Sequence, residues 1–280
     1  MAEYRGPNIR GRQLGERLLQ RMSEKNWGVR EMSRKLDMSA QWVSAVTRGL
    51  TRPEPVRMAR FLTTLGFDGA EYRELMGLAD EIRKPGLLES YPGGWQVQTL
   101  AWHEERAAEI AAFQGLILPG LLQTADYARS LMVETGNAPS PDGIDERVFA
   151  RMARQLVLTR RPRIEFQFFI HEFALRLPVG RQDRSVMRGQ LAHLLRVSAQ
   201  PNVSIRVVPA RIGGHPAVSG HFKLIESTEF EPVVYIEHEI SSLFLEAPDE
   251  IAVYRQVVAK LGDVALDAAR SEAFIAGLAE

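Results

Sequence analysis

From Leu14 to Ala79 the apolar residues recur three and four positions apart, the spacing that lines one face of a helix. Leu14, Leu18 and Met22, flanked by Arg17 and Arg21, predict a first amphipathic helix that stops at Trp27-Gly28. A second helix runs over Val29 to Leu36, with Met32, Ser33 and Leu36 on its inner side. Ser39 stands where a side-chain oxygen can accept a backbone N–H of the next turn. It therefore predicts the start of a third helix, which turns Val43 and Val46 inward and ends at Gly49. Pro53 and Pro55 bound a fourth helix carrying Val56, Ala59, Phe61, Leu62 and Leu65. A fifth covers Gly69 to Arg83 through Tyr72, Leu75, Met76 and Ala79. Five helices on short turns, with no strand among them, predict an all-α domain.

Proline and glycine then gather at Lys84-Pro85-Gly86 and Tyr91-Pro92-Gly93-Gly94, which divides the chain into a helical domain over 1–84, a linker over 85–94 and a second domain over 95–280. In the second domain Gln96 to Ile110 reads as helix. Gly115 to Leu118 is a short apolar run, read as a strand end and stopped by Pro119-Gly120, and Thr124 caps a helix reaching about Glu134. After a loop of Pro, Ser, Asn and Gly, helices are expected over Ile144 to Thr159 and Val186 to Ala199. β-branched and aromatic residues predict strands at Arg163 to Ile170, Val203 to Val208, His221 to Glu226, Val233 to Glu237 and Leu243 to Leu245. Helices over Pro248 to Leu261 and Ala265 to Ala279 follow. The expected fold is thus multi-domain: an all-α five-helix domain, then a mixed α/β domain with a largely antiparallel sheet.

The formal charge of zero hides a division. Through Pro55 there are eleven Lys and Arg against six Asp and Glu, an excess of five that the remainder of the chain balances. The N-terminal part alone therefore carries the electrostatic footprint expected of a polyanion partner. Cysteine is absent, which excludes disulfides, thiolate zinc sites and cysteine nucleophiles and fits a reducing cytoplasm. The first residues lack the apolar core of a signal peptide, and no apolar run approaches the ~20 residues that cross a bilayer, so a soluble cytoplasmic protein with no membrane association is expected.

Helix, short turn and capped second helix, with small Ser33 at the crossing, form a helix-turn-helix arrangement. Residues Leu14 to Ala79 resemble the five-helix domain of the phage-repressor class, the XRE family, with Ser39-Ala40-Gln41-Trp42-Val43-Ser44-Ala45-Val46-Thr47-Arg48-Gly49 in place of its recognition helix. The resemblance implies double-stranded DNA as a partner and sets Ala40, Gln41, Ser44 and Ala45 toward the bases, with Arg48 and the following loop near phosphate. This chain departs from the family at Gly28 and Val29, where a capping Thr and a polar residue are usual. Of the base-facing positions only Gln41 can make the bidentate contact to adenine. Affinity is then expected from Arg10, Arg12, Arg30, Arg34, Arg48 and Arg52 on phosphates, while Trp42 either packs on the scaffold or touches a thymine methyl or sugar.

The second domain resembles the antitoxin-like domain of actinobacterial helix-turn-helix regulators, the WhiJ-like proteins of streptomycetes. The residues behind the likeness are Pro119-Gly120-Leu121-Leu122-Gln123-Thr124 with Asp126-Tyr127-Ala128, then Arg151-Met152-Ala153-Arg154-Gln155. Leu175-Arg176-Leu177-Pro178-Val179-Gly180, Pro201-Asn202-Val203, and the run from Gly214-His215-Pro216 to Gly220-His221-Phe222 follow in the same order. The resemblance implies a transcriptional regulator that works with a small companion protein encoded nearby.

Physically, the Pro-Gly corner and its capped helix are structural elements that also border a groove at the end of a sheet. Gln123, Thr124, Glu172 and His215, with Arg151 and Arg154 three apart on a helix, are the candidate residues for an acidic partner, a phosphate or another small ligand. His103-Glu104 and His171-Glu172 each lack the second His of a zinc helix, and no GxxxxGK, GxGxxG or GxSxG motif is present. No metal, no cofactor and no enzymatic activity are expected. Two readings stand on the sequence. One is a dimeric DNA-binding regulator whose second domain dimerises and receives a protein or small-molecule signal. The other is an antitoxin-like interaction module with weak or partner-dependent DNA binding.

Overall fold

The computed structural model of the protein describes residues 9–80, 82, 87–90, 98–136, 141–159, 164–180, 183–238 and 241–279. The chain forms two compact units. One is Met1–Leu88 with Glu229–Glu231 and Phe244–Ala247; the other is Glu89–Thr228 with Pro232–Leu243 and Pro248–Glu280.

The first unit holds α1 (Ile9–Glu24), α2 (Val29–Leu36), α3 (Ala40–Thr47), α4 (Pro55–Leu65) and α5 (Gly69–Asp80). The apolar stripes read from the sequence meet in one core, where Leu14, Leu18, Met32, Leu36, Val43, Val46, Phe61, Leu62 and Leu75 are fully buried. Each such side chain contributes about 1.5–3 kcal/mol by leaving water. Chain reversals use left-handed residues: Asp37 ends α2 with φ 53°, and Gly66 ends α4 with φ 78° while its N–H returns to the carbonyls of Leu62 and Thr63. Arg17 and Arg21 of α1 both grip Glu71 of α5, the second at 2.9 Å, which orients the two helices but stabilises them by only about 0–1 kcal/mol per half-exposed pair.

The remaining elements are β1 (Leu87–Ser90), α6 (Gln98–Glu105), β2 (Glu109–Gln114), α7 (Ala125–Thr135), α8 (Pro141–Arg154), β3 (Glu165–His171), α9 (Glu172–Arg176) and α10 (Ser185–Ser198). They continue with β4 (Val203–Val208), β5 (Phe222–Glu226), β6 (Val233–Glu237), β7 (Ser241–Leu245), α11 (Pro248–Val264) and α12 (Ala268–Ala279). The strands form one mixed sheet in the order β1-β7-β6-β5-β2-β3-β4. The expected antiparallel pairing joins β2 to β5 and β5 to β6. Strands β2, β3 and β4 run parallel, which requires the helical crossovers α7–α8 and α9–α10 between them.

Helix α12 covers the outer edge of β4. The Ser271 hydroxyl oxygen accepts the Val207 N–H at 2.9 Å, the Leu266 N–H donates to the Val207 carbonyl at 2.8 Å, and Arg206 donates to the carbonyls of Gly262, Ala265 and Leu266. The outward backbone groups of Val207 on this edge strand are thus answered. Helix α11 packs on β5 and β6. The two C-terminal helices therefore both cover their own sheet.

Four sequence expectations change. Gln96 to Ile110 is not one helix: α6 stops at Glu105 and Ile110 lies in β2, while Gly115 to Leu118 is loop. The helix expected over Ile144 to Thr159 begins at Pro141 and gives way to a 3₁₀ turn over Gln155–Thr159. Within the linker, Leu87–Ser90 is a strand; its proline-glycine groups at 84–86 and 91–94, like the loop residues 137–140 and Arg83, lie outside the described residues.

Candidate functional site

Helix α3 is held at both ends. The Ser39 hydroxyl oxygen accepts the Trp42 N–H at 3.1 Å, and the Thr47 hydroxyl donates to the Val43 carbonyl at 2.9 Å. Ahead of it, the Ser33 hydroxyl donates to the Met38 carbonyl and closes the turn between α2 and α3. At its far end α1 approaches backbone to backbone: a Cβ on Gly15 would stand 2.2 Å from the Thr47 carbonyl oxygen, and one on Gly11 2.7 Å from that of Gly49. Gly49 itself has φ 68°, a conformation in which side chains are strained. The sequence signal for this contact, glycines at 11 and 15 on one helical face, carries no partner in itself.

With Val43 and Val46 facing the core, Ala40 and Gln41 are exposed and Ser44 and Ala45 half-buried. Trp42 is half-buried with its ring 5.9 Å from that of Phe61, so the scaffold holds it. Arg30, Arg34 and Arg48 stand exposed, and Arg52 is exposed but bonded to Asp80. Arg10 is half-buried. Arg12, expected on phosphate, is instead buried in the first unit. Its Nη2 donates to Glu246 Oε1 at 2.6 Å, its guanidinium lies 4.9 Å above the Phe230 ring, and the Ile9 N–H takes the other Glu246 oxygen at 2.9 Å. A cation held by a buried carboxylate is withdrawn from any phosphate. The partner sits 234 residues away, beyond the reach of local pattern.

In the second unit several backbone groups of the corner Leu118–Thr124 are answered by side chains. Gln123 Nε2 donates to the Leu118 carbonyl at 2.7 Å, Gln155 Nε2 to those of Gly120 and Gln123, and Gln190 Nε2 to that of Leu122 at 2.7 Å. The Thr124 N–H donates to Gln190 Oε1 at 2.7 Å, and the Thr124 hydroxyl oxygen caps α7 by accepting the Tyr127 N–H at 3.2 Å. Backbone groups answered in this way hold the turn in place. Arg151 Nη1 donates to Gln123 Oε1 at 2.7 Å, which ties α8 to this corner.

Beside the corner lies a cavity of about 60 Å³ lined by Gln114, Gly120, Gln123, Arg151, Arg154, His221, Lys223, Tyr235 and Glu237 together with apolar side chains. Behind that wall Glu104 of α6 receives Arg154 Nε at 3.0 Å and Nη2 at 2.9 Å, and also Lys223 Nζ. Burial pushes the Glu104 carboxyl up, but Arg154 and Lys223 outweigh it and hold it lowered to about 2. Burial lowers the Lys223 ammonium, with Glu104 opposing, and lowers the Arg151 guanidinium, with Glu237 opposing. The sequence does not single out Glu104, Lys223 and Glu237 as a binding set, because they come from α6, β5 and β6 and meet only in the fold.

The structure thus brings Gln123, Arg151 and Arg154 together and leaves Glu172 and His215 out of the cavity wall. Glu172 is held below the usual carboxylate range by the Ala210 N–H at 3.0 Å and by Arg176 at 2.6 Å. His215 stacks on His171 at 5.3 Å, and the Nδ1 of His171 accepts the Phe173 N–H; burial lowers both imidazoles. Among the described residues no helix is long and apolar enough to cross a membrane.

Comparison with curated proteins and with solved structures returns no match. Two family models do match: a helix-turn-helix domain over residues 13–75, and the domain of unknown function DUF5753 over residues 97–277. The first, laid on α3 with its exposed Gln41, gives the chain a DNA-binding domain of the kind that regulators carry. The second spans more than half the chain, which therefore belongs to the DUF5753 family.

Proposed function

We propose that the protein is a transcriptional regulator that docks α3 in the major groove. Gln41 reads a base through its amide, Ala40, Ser44 and Ala45 supply methyl and hydroxyl contacts, and Arg30, Arg34, Arg48 and Arg52 lie on phosphate, the last after giving up Asp80. The observation that carries this is the exposure of Gln41 on the first turn of a helix whose opposite face, Val43 and Val46, is fully buried. One recognition helix spans a half-site, so the protein acts as a homodimer on two half-sites one turn apart. The second domain dimerises and receives a small companion protein or a small-molecule signal, in line with the WhiJ-like resemblance. Its role in this reading is binding: His171 Nδ1 caps α9, and the Glu172 oxygens take the Ala210 N–H and the Arg176 guanidinium.

A second reading, an antitoxin-like module that binds DNA weakly or only with its partner, is favoured by Ala40 and Ala45, which place no donors on the outer face. Retardation of the DNA upstream of the gene, with and without the adjacent small protein, separates the two. On single-base operator variants Gln41→Ala should lose about 1–3 kcal/mol of discrimination at one base pair per half-site. A base preference intact at every position would remove direct readout by this helix.

A further inference from the structure

The cavity wall in the second unit is charged and apolar at once: Arg151, Arg154, Lys223 and Glu237 line it together with Leu118, Phe168 and Phe222. We propose that this cavity binds a small free monocarboxylate with a short apolar tail. Charge sets the valence. Among the described residues, three cations on the wall stand against Glu237 on the wall and Glu104 behind it, which leaves one positive charge. A monoanion cancels it, whereas a doubly charged phosphate would bury a negative charge of its own. Arginine suits a planar carboxylate, and Glu104 occupies only Nε and Nη2 of Arg154.

Size sets the tail. The cavity measures about 60 Å³. At roughly 10–15 Å³ per water-sized group that is room for about four to six such groups. The apolar lining covers the part of the ligand that the cations do not. The wall is preorganised, because Gln123, Gln155 and Gln190 fix the corner and Glu104 fixes two of the three cations before any ligand arrives.

Calorimetric titration of the full chain, free of DNA and in a buffer without carboxylates, tests this with propionate, propionamide and inorganic phosphate as probes. Propionate should give saturable single-site heat and bind at least tenfold more tightly than either of the others. A Cβ on Gly120 would meet only Arg151 Nε, at 3.9 Å, so Gly120→Val fills the cavity without disturbing the backbone. That variant should melt as the wild type does and lose propionate binding at least tenfold. Lys223→Met, which removes the surplus charge, should lose it as well; if its melt shows that it fails to fold, Gly120→Val alone decides. Equal binding of propionamide or phosphate, no saturable heat, or undiminished binding by folded Gly120→Val would overturn the proposal. Since no DNA is present, such a result leaves the reading of α3 untouched.

Discussion

In the helical unit Arg30, Arg34 and Arg48 stand in solvent, whereas in the α/β unit Arg154 and Lys223 are drawn inward around the Glu104 carboxylate and Arg151 is tied to Gln123. The contrast is one of dielectric. Exposed cations keep their hydration, contribute little to stability, and act as a salt-screened field on a polyanion. Buried cations have lost their hydration and depend on a nearby carboxylate, which Arg154 and Lys223 share in Glu104, so position and charge become one property. Arg12 shows that the helical unit contains both kinds, since Glu246 holds its guanidinium in the way that Glu104 holds Arg154.

The contrast breaks most sharply at Glu104. Glu104→Gln leaves Arg154 and Lys223 buried without their counter-charge and should cost the α/β domain about 3–5 kcal/mol in denaturant unfolding at neutral pH. The folded carboxyl lies at about 2 against an ordinary value of 4.5. Its contribution is therefore complete above the unfolded value and is lost as the pH falls from there toward about 2. Wild-type stability should drop across that window, and the variant should show a flatter profile. A variant as acid-sensitive as the wild type would assign the drop to other carboxylates.

A smaller effect is expected where α1 meets α3. Gly15→Ala sets a Cβ 2.2 Å from the Thr47 carbonyl oxygen and should cost about 1–3 kcal/mol, with DNA affinity falling because α3 must move. Gly77→Ala in the exposed middle of α5, where nothing lies within 4 Å, should instead stabilise by about 0.5–1 kcal/mol. Melting curves of the two side by side distinguish close packing from helix propensity.

The smallest effect on the fold belongs to Arg48. Arg48→Ala should leave stability within about 0.5 kcal/mol. It should weaken specific and nonspecific DNA alike and reduce the slope of log affinity against log salt by about 1. Unchanged affinity for both DNAs would take Arg48 off the phosphate backbone.

What the sequence made legible follows from the range of the forces involved. Helix α3 could be placed from Ser39, Val43, Val46 and Gly49 because capping, periodicity and chain reversal are all decided within one or two turns. Strands β4 and β6 were equally plain, each a short run of Val and Ile. Strand β2 was not: Glu109–Gln114 is rich in alanine, and it is strand because β3 and β5 flank it, which no local propensity reports. The candidate site divides the same way. Gln41 was legible from its place on a capped helix, and Arg151 and Arg154 from their spacing, but Glu104 is separated from Arg154 by 50 positions and from Lys223 by 119. The misplacement of Arg12 has the same cause at larger separation.

The glycine contact under α3 also makes this helix a chassis for redesign. Its inner side is registered against α1 by main-chain atoms at Gly11, Gly15 and Gly49, so exchanging outer residues does not shift the axis that presents them. Ala40 is exposed, Ala45 half-exposed, and both end in a methyl group. If α3 reads DNA as proposed, they are blank positions on which a guanine-reading arginine or an adenine-reading asparagine can be written, giving the helix a chosen address.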